Sequence, residues 1–147
     1  MTLATTGSSK DQIRALLDER VRAIHDRDAQ ALTSVCAPDV VSFDALPALQ
    51  RLGAEAVRAR AEEWLGWYDG PVGYRISDLR ITAGDDTAFA SYLYRVTGTM
   101  TNGSTVDMWV RSTVCLRKSG NDWLIGHEHT SVPFDAESAR ATLDLTP

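Results

Sequence analysis

Apolar residues recur at helical spacing in the first quarter of the chain, which predicts an amphipathic helix. Its buried face is predicted to carry Ile13, Leu16, Leu17, Val21 and Ile24. Ser9 and Gln12 have the spacing of a capping box, so the helix should begin there and end near Arg27. A short second helix, capped by Asp28, is predicted to continue through Cys36.

A different pattern governs the rest of the chain. A short strand is predicted at residues 40–43, ending at Asp44, and a third helix over residues 54–68. Four later segments, in which apolar and polar residues alternate, are separated by turn-forming Gly, Asn and Asp. They predict strands at 73–82, 87–97, 105–118 and 123–132. Because no helix separates these strands, we expect an antiparallel meander in a domain of the α+β class.

Length and charge limit the classes of protein to consider. A chain of 147 residues with 44% hydrophobic content suits one domain, predicted at 9–135 between a flexible tail at 1–8 and a C-terminal tail at 136–147. One helical turn is expected near 137–143. The net charge of −5, without a basic run, argues against nucleic acid as a partner. No apolar run reaches the roughly 20 residues of a membrane span, and residues 1–10 do not resemble an export signal, so we predict a cytoplasmic protein.

The two cysteines, Cys36 and Cys115, lie far apart in the sequence and lack the spacing of a metal site. We therefore expect both to be buried, reduced thiols in a cytosolic protein.

Two neighbouring strands carry the residue types that binding sites use. One parity of the 107–117 segment places Trp109, Arg111 and Thr113 on a common face, while the other parity is apolar around Ser112. In the last strand, the side chains of His127, His129 and Ser131 leave a common face. Gathering Trp, Arg and His on one face predicts that this face lines a cavity.

Each of these residues also has a structural interpretation. His127 and His129 either form hydrogen bonds with neighbouring groups or act as pocket donors and proton carriers. A metal site would need a third ligand, and the adjacent Glu128 points to the opposite face of the strand. We therefore expect no metal. Arg111 either forms an ion pair with an acid such as Asp107 or Glu128, or clamps an anion or enolate.

Aromatic residues leave two questions open. The end of the third helix is rich in aromatics that either pack in the core or contact a ligand, namely Trp64, Trp67 and Tyr68. Tyr92 and Tyr94 share one face of a strand whose other face carries Phe89 and Leu93. Either face could be the inner one, and we expect the outer one to pack in a homodimer.

Three stretches together resemble a known superfamily. They are Met108-Trp-Val-Arg-Ser-Thr-Val-Cys-Leu-Arg-Lys118, then Gly120 followed by Trp123, then His127-Glu-His-Thr-Ser-Val-Pro-Phe134. Over about residues 9–135 the chain resembles the nuclear-transport-factor-two-like superfamily, and within it the SnoaL-like homologues of ketosteroid isomerase. The resemblance implies a cone-shaped half-barrel, in which a strongly curved, mostly antiparallel sheet wraps around three helices and a mostly apolar pocket.

The resemblance also implies a site. In steroid isomerases an aspartate that ends the first strand is the general base, and Asp44 falls at that position. The oxyanion-hole tyrosine of those enzymes has no counterpart here, because no tyrosine falls in the first helix, and Thr113 stands near their late-strand acid.

We therefore expect proton-transfer chemistry (isomerisation, cyclisation or dehydration) without metal or cofactor, on a small molecule with an apolar body and a carbonyl or carboxylate. Asp44 would be the base, His129 the donor or relay, and Arg111 the stabiliser of oxyanion charge. The expected ligand contacts are Trp109, Thr113, His127, Trp64, Trp67, Tyr68 and Ser131. The alternative is a non-catalytic ligand-binding or dimeric assembly module with the same fold. An epoxide-opening hydrolase would need an Asp-Arg-Asp cluster that the sequence does not assemble.

Overall fold

The computed structural model describes residues 7–147, so most of the predicted N-terminal tail lies outside the described residues. The described chain forms three helices, α1 (Ser9–His25), α2 (Ala29–Thr33) and α3 (Ala54–Gly66). It also forms six strands: β1 (Cys36–Phe43), β2 (Arg51–Leu52), β3 (Tyr68–Ala83), β4 (Thr87–Met100), β5 (Thr105–Ser119) and β6 (Asp122–Ser131). The α+β class is confirmed.

The first helix is capped one residue earlier than predicted. The Ser8 hydroxyl accepts a hydrogen bond from the Asp11 N–H, and the Asp11 carboxylate accepts one from the Ser8 N–H. This reciprocal pair is a capping box in which Asp takes the place of Gln or Glu.

The sheet has the strand order β2-β1-β6-β5-β4-β3. Strands β3 to β6 form the expected antiparallel meander, while β1 pairs with β6 in parallel. The prediction of helix through Cys36 is wrong, because α2 ends at Thr33 and Cys36 already pairs with Ile125. The pairing of β1 with β6 is irregular between Cys36 and Val41, around Pro38, whose lack of an N–H suits such a break.

Helices cover one face of the sheet and build two apolar clusters there. One cluster joins Ile13 and Leu17 of α1 to Val114 and Ile125 of the sheet. The other joins α2 and α3 to the start of β3 and the second half of β4. Tyr94 packs against both clusters, so it lies where they meet.

The predicted turn of helix near 137–143 is wrong. The chain after β6 instead folds back on itself, with a bridge between Phe134 and Ala141. Within residues 7–147, no helix is long and apolar enough to cross a membrane.

Candidate functional site

A cavity of about 330 Å³ lies between the helices and the concave face of the sheet. Its walls are largely apolar, with contributions from Leu32, Val57, Trp64, Val96, Met108 and Val110. Charged residues from five elements or their ends also reach it, so the cavity combines apolar walls with a small set of ionisable groups.

The first ion pair of the cavity joins Asp44 and Arg60. Asp44 directly follows β1, and its Oδ2 lies 3.2 Å from the Arg60 Nε. The other carboxylate oxygen accepts a hydrogen bond from the Leu46 N–H at 3.2 Å. The Arg60 side chain is only 10% exposed, stacks over the Trp67 ring at 4.8 Å and also reaches Glu63. Packing and hydrogen bonds therefore fix the orientation of the Asp44 carboxylate.

The second ion pair joins Arg20 of α1 to Glu128 of β6, with 2.8 Å between Nη2 and Oε2. The two side chains are 12% and 15% exposed. Burial is the largest influence on the pKa of Arg20 and lowers it, but the combined attraction of Glu128, Tyr92, Cys36 and Tyr74 outweighs burial and raises the pKa. The Arg20 Nε is buried and has no hydrogen-bond partner among the described residues, and the Arg20 side chain forms part of the cavity wall.

Three tyrosines extend this polar cluster. The rings of Tyr74 and Tyr94 stack with centroids 4.4 Å apart and both line the cavity, while Tyr92 lies 6.4 Å from Tyr94. Removal from water raises the pKa of all three, and Glu128 and Asp44 raise the pKa of Tyr94 further. The phenols therefore stay protonated at neutral pH, and Tyr74 and Tyr94 are the two of them that line the cavity.

Two of the predicted site residues, Asp44 and Trp64, line this cavity. The prediction that the Trp, Arg and His face lines it is wrong. The opposite parity faces inward, because Met108 and Val110 line the cavity while Arg111 and Thr113 are exposed. Exclusion of water favours packing the apolar side chains of β5 against the helices. The polar side chains of β5 are then left on the outer, convex face of the sheet.

The predicted residues on the outer face make contacts of their own. Arg111 donates from Nε to the Ser131 Oγ at 3.1 Å and, with Thr113, lines a shallow open depression. The expected ion pair of Arg111 with Asp107 or Glu128 is absent from the described chain, since those acids pair with Arg95 and Arg20.

The histidines also belong to the outer face. His127 Nδ1 lies 2.8 Å from the Val41 carbonyl, and both His127 and His129 contact the Phe43 ring edge-on. Trp109 lies under the Arg75 guanidinium at 5.6 Å. Asp44 therefore does not converge with His129 or Arg111. In residues 7–147, no group of three His, Cys, Asp or Glu side chains could hold a metal ion.

Trp67 and Tyr68 do not line the cavity but pack beside residues that do. Trp67 carries the Arg60 guanidinium on its ring, and Tyr68 is buried with its ring centroid 5.5 Å from that of Trp64. Packing, one of the two interpretations left open for these aromatics, accounts for both.

Sequence reasoning missed Arg20, Arg60, Glu128 and Tyr94, although a signal was present. Arg20 continues the buried stripe Ile13, Leu17 and Ile24 of α1 at spacings of three and four. Arg60 interrupts the equivalent stripe of α3, and Glu128 shares its parity with Thr130 and Val132, which line the cavity. A charged residue within an apolar face is the informative pattern, because burying it requires a partner.

A curved sheet that closes with three helices around an apolar cavity defines the NTF2-like class of folds, and the sequence match is more specific. The chain belongs to the SnoaL-like domain family, whose profile matches residues 13–135. No curated protein matches the chain.

Solved structures support this assignment. An NTF2-like protein of unknown function from Pseudomonas putida KT2440 is 34% identical, with a TM-score of 0.85 over 95% of this chain and 99% of that one. A protein named as a candidate calcium/calmodulin-dependent protein kinase II association domain, from Xanthomonas campestris, is 23% identical, with a TM-score of 0.75 over 99% and 95%. A candidate dehydratase of the NTF2-like family from Streptomyces avermitilis is 15% identical, with a TM-score of 0.73 over 83% and 94%. The last two share the fold.

Proposed function

We propose that the protein is a small-molecule enzyme that transfers a proton in an isomerisation, cyclisation or dehydration, without a metal or cofactor. The observation that carries the proposal is an apolar cavity containing an oriented carboxylate, Asp44, beside protonated phenols and the Arg20 guanidinium. Dehydratase names among proteins with the same fold agree with this class of reaction.

Asp44 is the proposed general base. Its oxygens accept hydrogen bonds from Leu46 and Arg60, and a carboxylate has about four acceptor positions, so lone pairs remain to take a proton. A base held by two contacts needs little reorganisation when the substrate arrives.

Tyr94 and Arg20 replace His129 and Arg111 as the proposed stabilisers of oxyanion charge. Tyr94 lines the same cavity as both ion pairs, and Glu128 and Asp44 help to raise the pKa of its phenol. A neutral phenol and a fixed guanidinium both donate to an oxygen on which negative charge develops, and low polarity strengthens such bonds.

The proposed ligand has an apolar body and a carbonyl or carboxylate. Side chains such as Val96, Met108 and Val110 would cover the body, while the Arg20 guanidinium would pair with an oxygen. A planar oxygen acceptor suits a guanidinium donor better than a tetrahedral hydroxyl does.

Proton exchange tests the base directly, because it requires only the abstraction step and no identified product. The protein is incubated in D2O with a panel of cyclic ketones, and loss of the α-proton signal is followed by NMR. For a ketone that the wild type exchanges, Asp44→Asn should slow exchange roughly 100- to 10,000-fold, the range of general-base contributions. His129→Ala, on the outer face, is the matched control and should leave the rate unchanged. Equal rates for wild type and Asp44→Asn would contradict the proposal.

A non-catalytic binding module remains the second candidate, and one observation favours it. Asp44 is engaged by Arg60, and such a pair could serve to hold the loop after β1 in place. In that case Asp44→Asn would lower thermal stability, the wild type would exchange no ketone in the panel, and ligands would still bind.

We also propose a homodimer formed through the outer face of the sheet. This face carries the large side chains Phe89 and Phe43, 51% and 37% exposed, together with Trp109 and Leu93. Apolar area of this kind is typical of interfaces between copies of a chain. Light scattering should give twice the chain mass of 16.1 kDa, and Phe89→Lys should return the chain mass.

A further inference from the structure

The chain after β6 folds into a compact turn. The Asp135 N–H bonds to the Arg140 carbonyl at 2.8 Å, and the Thr142 N–H bonds to the Pro133 carbonyl at 2.7 Å. Phe134 and Ala141 form an antiparallel bridge between these bonds. Backbone hydrogen bonds within the segment therefore stabilise its turn.

The Asp135 carboxylate fixes the start of this turn. Its Oδ1 accepts hydrogen bonds from the Glu137 N–H at 2.9 Å and the Ser138 N–H at 2.8 Å. These backbone bonds lower the pKa of Asp135, so the side chain is an ionised acceptor at neutral pH. Aspartate commonly stabilises turns in this way.

The turn returns the chain to the mouth of the cavity. Ala141 and Leu143 line the cavity together with Leu46 and Val132. Leu145, two residues further on, is 50% exposed, close to the 45% of Leu143, but does not line it. The family profile matches residues 13–135, so this part of the wall lies beyond the family match.

We propose that residues 134–143 form a specificity wall, in which Leu143 contacts the apolar body of the ligand and the Asp135 turn holds Leu143 in position. The inference rests on the proposed ligand site, and it assigns selection of the ligand body to Leu143, which lies beyond the family match that ends at Asp135. A half-exposed leucine at the cavity mouth would lose its water contact when an apolar ligand binds, which favours the complex.

Two leucine variants test the wall with a defined probe. Binding of the neutral fluorophore N-phenyl-1-naphthylamine to the full chain is measured by its fluorescence increase. Leu143→Ser should raise the Kd roughly five- to tenfold, since part of a leucine contact is lost. Leu145→Ser is the matched control, with similar exposure and the same substitution, and should stay within about twofold of the wild type. Thermal melts of both variants should match the wild type, because neither side chain is buried.

Two substitutions of Asp135 test the positioning role. Asp135→Ala removes the acceptor for both N–H groups and should raise the probe Kd in the same direction as Leu143→Ser. Asp135→Asn keeps an acceptor oxygen at the same place and should retain most of the affinity. Rescue by Asn indicates that the hydrogen bonds, and not the charge, hold the wall.

Equal probe affinity for wild type, Leu143→Ser and Leu145→Ser would overturn the inference, as would failure of the wild type to bind the probe. The proton-exchange experiment on Asp44 is separate. Weakened binding in Leu143→Ser with full exchange in Asp44→Asn would support the wall and overturn the proposed chemistry.

Discussion

The two faces of the sheet handle their charged residues in opposite ways. On the concave face, Arg20 and Glu128 form an ion pair that is almost covered, next to phenols held away from water. On the convex face, Arg95 and Asp107 form a two-contact pair whose side chains are 41% and 57% exposed. Similar chemical groups therefore occupy one sheet in two different dielectric environments.

The difference shows which charges carry information about function. An exposed pair contributes little free energy and serves solubility as well as structure. A buried pair has a large desolvation cost that its own attraction barely offsets, so its presence in a cavity calls for a further role. Residue type alone does not separate the two, because both faces contain arginine and carboxylate.

The largest expected effect comes from breaking the buried ion pair. Glu128→Ala should lower the free energy of unfolding by about 3–5 kcal/mol, because Arg20 would be left buried and unpaired. Asp107→Ala, on the convex face, should barely move the urea midpoint, since water solvates Arg95. The double variant Arg20→Met/Glu128→Leu should recover most of the stability lost in Glu128→Ala. Equal losses for Glu128→Ala and Asp107→Ala in urea denaturation would contradict the contrast between the faces.

A smaller effect is expected in the reactivity of the two cysteines. Both were predicted to be buried, but only Cys36 is. Cys36 is 7% exposed, and burial, partly opposed by Arg20, raises its pKa to about 11, whereas Cys115 is exposed on the convex face. At pH 8, about one part in a thousand of a thiol with that pKa is thiolate, so a thiol reagent should modify Cys115 first and Cys36 far more slowly.

The same measurement sharpens the dimer proposal. With Cys36→Ser as the background, reaction of Cys115 should slow as protein concentration rises if the outer faces pair. A rate independent of concentration, together with a monomer mass, would remove the dimer from consideration.

The smallest expected effect is a loss of folding stability at alkaline pH, which is absent at neutral pH. All four tyrosines have raised pKa values, mainly through burial, so the folded state retains phenol protons that the unfolded state loses. Stability from this source is complete below the unfolded pKa near 10 and falls as the pH rises through the folded values. Phenolate absorbance should therefore rise together with unfolding, and Tyr94→Phe should flatten the alkaline loss. Phenolate that forms near pH 10 with the circular dichroism unchanged would count against buried phenols.

Much of the fold was predictable from local patterns. The helical stripe of α1 and the alternation of the four long strands indicated both the elements and their order, because periodicity records which face meets the core. The end of α2 failed because Cys36 pairs with the distant Ile125, whereas Ser8 and Asp135 use local hydrogen bonds that the prediction did not assign.

The candidate site was likewise predictable only in part. Asp44 and Trp64 line the cavity as expected, and the expectation for Asp44 came from the resemblance to the steroid isomerases. The prediction for His129 and Arg111 chose the wrong face, because their residue types suggested a pocket while the apolar parity of β5 indicated the opposite side. Burial of the apolar parity is the stronger signal, since a strand has only two faces and water is excluded from one of them.

The sequence by itself determined the α+β class, the meander and the single carboxylate at the end of β1. The tertiary structure decided which sheet face is concave, which charges pair across it and that the C-terminal turn completes the cavity. The physical reason is range: periodicity and turn chemistry act between near neighbours, whereas Arg20 and Glu128, 108 residues apart, meet only after the sheet has curved around the helices.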